Sequence, residues 1–116
     1  MAANEVTYRY GTVQTVHHTP GSAVDGGSVI VIGDIPHIAH RDIAANEKGA
    51  LAISGGVYDM TAGEAIAAGK KVWWDNTNNK VVETATGNKV MGYLTDDTSA
   101  SADGDTVRVR HMPDAD

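Results

Sequence analysis

Turn signals recur along this chain roughly every 8–12 residues, a spacing that leaves room for short strands and little room for helices. Gly11, Gly26-Gly27, Gly33-Asp34, Gly55-Gly56, Asn76-Thr77-Asn78-Asn79 and Gly87-Asn88 punctuate it. Between these breaks lie stretches rich in Val, Ile, Thr and aromatic residues, the types that suit a pleated surface. The clearest local unit is a β-hairpin in which Val72–Asp75 and Lys80–Thr84 flank residues 76–79, with Asn residues able to take positive φ. Val6, Tyr8 and Tyr10 alternate with Thr7 and Arg9, as in a half-buried strand with the first three on one face. The apolar positions resume out of step at Val13 and Val16, so a bulge or bend is expected at Gly11.

His17 to Gly27 reads as a loop. The β-branched run Ser28–Ile32 reads as a strand buried on both faces, and Pro36 places the next strand at its start or on an edge. Strands are also expected over Ala50–Ile53, after Gly55-Gly56 at Val57–Met60, over Lys89–Leu94, and at Asp105–His111, where Val107 and Val109 alternate with Arg108 and Arg110. The segments Ile43-Ala44-Ala45-Asn46 and Ile66-Ala67-Ala68-Gly69 echo one another, each leading into a strand. Both are too short to hold a helix alone, and one helical turn over Gly63–Ala68 is the most expected. The fold class is therefore all-β: a single small barrel-like or sandwich-like domain of short strands. An extended N-terminal arm or first strand spans residues 1–10, the β-rich domain 11–112, and a frayed tail 113–116.

The 116-residue chain carries a net charge of −6, from 15 acidic and nine basic residues. The basic residues are scattered rather than striped, which disfavours nucleic-acid binding. Absence of cysteine excludes disulfides and thiolate chemistry and fits a chain made in a reducing cytoplasm. The start carries no signal-peptide pattern, and the longest apolar run is far short of a membrane span.

Three chemical motifs fail on inspection. His37 and His40 are three apart in an expected strand, so their side chains diverge and do not chelate a metal together. Gly63–Lys71 resembles a phosphate-binding loop, but it has five residues between its glycines and Lys71 where the motif needs Ser or Thr. No Gly-x-Ser-x-Gly elbow accompanies the Ser, His and Asp residues. No catalytic, cofactor-binding or metal site is assigned. Trp73 and Trp74 are strand neighbours, so one faces the core and the other the opposite surface, where it either anchors an interface or lies under a loop. Trp74 is assigned to that interface, together with Val6, Tyr8 and Tyr10.

Taken in order, Asp42-Ile-Ala-Ala, Gly49-Ala-Leu-Ala-Ile53, Gly56-Val-Tyr58, Gly63-Glu-Ala-Ile-Ala-Ala-Gly69, Val72-Trp-Trp-Asp75, Thr84-Ala-Thr-Gly87-Asn-Lys-Val-Met-Gly-Tyr-Leu94 and Val107-Arg-Val-Arg110 resemble a family of small bacteriophage capsid cement, or decoration, proteins. The resemblance runs from about Val13 to His111. Some members are labelled RecA-type phage recombinases, a label the failed phosphate loop speaks against here. The resemblance implies a β-rich homotrimer on the outer surface of the virion head. Its partner is then the major capsid protein, with no nucleic acid, membrane or cofactor and no enzymatic activity. Loosely carried over, the N-terminal residues 1–10 then contribute capsid or neighbour-subunit contacts. The competing expectations are a receptor-binding or fibre-tip domain and a nucleotide-dependent recombination protein.

Overall fold

A computed structural model describes residues 6–113, which contain eight strands and no helix. The strands are β1 (Val6–His18), β2 (Val29–Ile32), β3 (Ile35–Ile38), β4 (Gly49–Thr61), β5 (Lys71–Asp75), β6 (Lys80–Val82), β7 (Lys89–Leu94) and β8 (Thr106–His111). They form one antiparallel sheet in the order β2-β3-β4-β8-β7-β5-β6, with β1 laid along β4. The sheet curls into a half-barrel, bringing β3 over β7. Two contacts hold the curl: His111 Nε2 donates to the Pro36 carbonyl at 2.8 Å, and Lys89 pairs with Asp34 at 2.9 Å. The all-β, single-domain expectation holds. The expected arm at residues 1–5 and tail residues 114–116 lie outside the described residues, while Val6–Tyr10 forms the first part of β1.

One kind of turn opens five of these strands. The amide of its fourth residue donates to the carbonyl of its first in Asp25–Ser28, Ala44–Glu47, Ala67–Lys70, Ala85–Asn88 and Ala102–Asp105, at 3.0–3.4 Å. The third residue of each has positive φ: Gly27 (87°), Asn46 (65°), Gly69 (76°), Gly87 (80°) and Gly104 (100°). Glycine and asparagine sit there because other residues clash in that region. The Ile-Ala-Ala echo is two copies of this device. Ile43 bridges to Val24 and Ile66 to Ala100, and each chain then turns through Asn46 or Gly69 into a strand. The sequence allows at most one helical turn, over Gly63–Ala68, and none forms there, because Ile66 exchanges two backbone hydrogen bonds with Ala100 (2.9 and 2.8 Å) and is held extended.

The 76–79 hairpin forms as expected, with Asn79 at φ 58°. The Asp75 carboxylate accepts from the Thr77 and Asn78 amides and from Asn78 Nδ2 (3.0, 3.2 and 2.9 Å). The Asn78 side-chain bond leads in holding the Asp75 pKa below its ordinary value. The expected bulge at Gly11 is also present, facing Gly55 and Gly56, so β4 bends there without ending.

The run Ser28–Ile32 departs from expectation. Val29 is buried, but Ile32 is 40% exposed, because β2 is the last strand of the sheet and only one of its faces meets the core. Trp74, Tyr58, Ile38, Met60, Ile66 and Met91 anchor the main core, and Ala39, Ile43 and Leu51 form a smaller cluster. Pro36 precedes the single β3–β4 pairing at Ile38–Ala52, a position that tolerates its missing donor.

Candidate interface

The bulge in β1 separates two residues expected to share a face. Tyr8 pairs with Tyr58, but Tyr10 pairs with Val57, so β1 advances two residues while β4 advances one. Successive residues of a strand point to opposite faces, and Tyr10 is consequently turned away from Tyr8. Val6 lies in the core at 4% exposure. Tyr8 is 43% exposed, and its ring packs 5.0 Å from that of His40 and 5.5 Å from that of Tyr58. Its hydroxyl donates to the Gly11 carbonyl.

Beneath Tyr8 the inner face carries a polar aromatic cluster. The Tyr58 hydroxyl and His40 Nε2 are hydrogen-bonded at 2.6 Å, and the Tyr58 ring meets that of His111 edge-on. Burial, with Tyr8 adding to it, pushes the Tyr58 pKa up. Desolvation pushes the His40 pKa below its ordinary 6.5. The folded state thus prefers neutral His40, so its contribution is fully present above the unfolded value of 6.5 and is lost as pH falls from there through the lower folded pKa. The thermal midpoint is expected to drop between pH 7.5 and 5, and by less in His40→Gln; scanning calorimetry of both proteins across that range checks this.

His37 and His40 turn to different partners, since His37 Nδ1 donates to the Ile35 carbonyl at 2.9 Å. Among the described residues no group of three His, Cys, Asp or Glu is placed to hold a metal ion.

The outer face is organised by a single cross-strand row. Tyr10 pairs with Val57, Val57 with Arg110, Arg110 with Tyr93 and Tyr93 with Lys71, crossing β1, β4, β8, β7 and β5. Tyr10 is 53% exposed. A groove of about 490 Å³ runs along Tyr10, Val57, Tyr93 and Arg110, rimmed by Asp96 and Asp97. In the next row Asp59 lies 3.7 Å from Arg9 and 3.8 Å from Arg108, and Arg108 also reaches Asp97 at 3.3 Å. The Asp97 carboxyl is held below its ordinary pKa, chiefly by the Thr95 hydroxyl that donates to it. Arg110 and Lys71 take part in no ion pair among the described residues.

The two tryptophans are placed the other way round from the expectation. Trp74 is fully buried beside Val81, with its Nε1 donating to Asn76 Oδ1 at 3.0 Å. Trp73 is half-buried on the outer face, its ring 5.3 Å from Lys71 Nζ. Parity with Lys71 carries this signal in the sequence: a charged residue at a strand's entry marks the solvent face, and Trp73 shares it two residues on.

The curled all-β domain meets a decisive match in its sequence: residues 8–111 fit the phage cement protein family. The chain belongs to the phage cement proteins. It is accordingly a structural protein of the virion, and the expected decoration role fits the family. No curated protein matches this chain. Among solved structures it is similar to the N base of the head fibre gp8.5 of bacteriophage phi29. That likeness has 16% identity and a TM-score of 0.48, covering 88% of this chain and 96% of that one.

Proposed function

We propose that this cement protein is a decoration subunit, made in the host cytoplasm, that binds the outer surface of a phage head through the major capsid protein. It does so as a homotrimer and stabilises the shell mechanically. The observation that carries this reading is the family match over nearly the whole described domain. A trimer touching several capsid subunits sums weak contacts into tight retention, because each later contact forms at high effective concentration. The net charge of −6 keeps a densely covered particle soluble.

The edge of β1 supports assembly with neighbours. Among the described residues β1 pairs with β4 alone, and its 13 residues contain Arg9 but no lysine or proline to guard the edge. A long edge of this kind invites strand addition from another chain along the stretches its bulges leave regular. Quantitative mass spectrometry of gradient-purified virions is expected to find this chain at a copy number comparable to the major capsid protein. A few copies per particle would favour a fibre or vertex role, and absence from the particle would overturn the reading.

A further inference from the structure

We infer that the outer-face row Tyr10–Arg110–Tyr93–Lys71, with Trp73 beside it, is the face that docks on the capsid shell. The inference rests on the decoration reading and adds which face binds and what it binds: a protein surface presenting a carboxylate among apolar side chains. The row crosses five strands, so at a strand spacing of about 4.8 Å it spans about 19 Å. That is the scale of the central patch of a standard interface. Tyrosine, tryptophan and arginine are the residues that dominate such centres: the rings bury large area with few rotatable bonds, and the planar guanidinium forms paired hydrogen bonds.

Charge gives the row its partner. The protein is acidic overall, yet the row's own charges are both cationic, and among the described residues neither has an ionic partner. The nearby carboxylates of Asp59 and Asp97 are already engaged by Arg9 and Arg108, leaving Asp96 on the groove rim. The exposed guanidinium of Arg110, with Tyr93 beside it and Tyr10 beyond Val57 along the same groove, offers a planar fork to a carboxylate. Packing within the fold leaves this face open: the inner-row residues Tyr58, Val109 and Leu94 lie in the core, while Tyr10 and Arg110 stand exposed.

The test uses heads of the phage assembled without this protein, the purified full chain added back, and co-sedimentation to measure binding. Arg110→Glu is expected to weaken binding by at least about 30-fold, the effect of a hot-spot residue. The double variant Trp73→Ala with Tyr93→Ala is expected to do the same without altering charge. Lys48→Glu, just before β4, is expected to bind within about threefold of the parent. Circular dichroism melts confirm that each variant is folded, and light scattering reports its oligomeric state. Parent-like binding by folded Arg110→Glu and by the double variant overturns the inference while leaving the decoration role intact. Conversion of these variants to a smaller oligomer also overturns it, by showing the row to be a contact between copies. Failure of the parent itself to bind the heads refutes the decoration reading, and this inference with it.

Discussion

Gly92→Ala is expected to remove a large share of the folding stability of this domain. Gly92 sits in β7 at φ 150°, and an added Cβ falls 1.8 Å from the Arg110 carbonyl oxygen and 2.8 Å from the Met112 amide. Both are backbone atoms of the neighbouring β8 segment, so relief requires the strands to part. The strand pairs here are Gly92–His111 and Tyr93–Arg110, and the adjoining Met112 amide donates to the Met91 carbonyl at 2.9 Å. Separating them also disturbs His111, whose bond to Pro36 closes the curl. Strain of this kind costs about 4 kcal/mol or more, against a total of about 5–15 kcal/mol for a domain. The expected result is an insoluble chain or a thermal midpoint lower by about 15 °C or more. Gly21→Ala is the control, because a Cβ there meets nothing within 4 Å. It is expected to be neutral or slightly stabilising through the unfolded state.

Trp74→Ala is expected to cost about 3–5 kcal/mol, and Trp73→Ala about 1 kcal/mol. Trp74 is fully buried in the main core beside Val72, Val81 and Met91, and its loss opens a cavity that the surrounding sheet cannot collapse to fill. It also strips the Asn76 side chain of its indole donor, loosening the hairpin loop. Trp73 fills no such space. Urea unfolding of the two variants separates the residues cleanly: Trp74→Ala lowers the midpoint strongly, whereas Trp73→Ala lowers it little while weakening capsid binding. Equal losses of stability would show that both rings belong to the core.

Local chemistry made much of this fold legible. Asn76–Asn79 between two alternating runs specifies a hairpin because Asn accepts positive φ, and the broken alternation after Tyr10 announces the bulge at Gly11. The paired Ile-Ala-Ala segments are visible as an echo, but their shared meaning is a bridge followed by a turn. That meaning depends on Val24 and Ala100, distant residues that hold Ile43 and Ile66 extended. A short alanine-rich run has no strong preference of its own, so its partner decides.

The interface was less legible, for the same reason. Period-two counting places Val6, Tyr8 and Tyr10 together, yet an inserted residue reverses every side chain beyond it, and the register with β4 shows where that reversal falls. Likewise, nothing local in Tyr10, Arg110, Tyr93 and Lys71 links four segments spread from residue 10 to residue 110. Their alignment exists only because β1, β4, β8, β7 and β5 lie side by side in an order unlike that of the chain. Residue types and turn spacing were enough for strand content, the hairpin and the acidic net charge, and the resemblance of the ordered motifs was enough for the family, since each depends on neighbours in sequence. Which tryptophan is buried, which tyrosine faces outward and which cations lack an ionic partner among the described residues depend on pairing between distant strands, and that is settled when the sheet closes its hydrogen bonds.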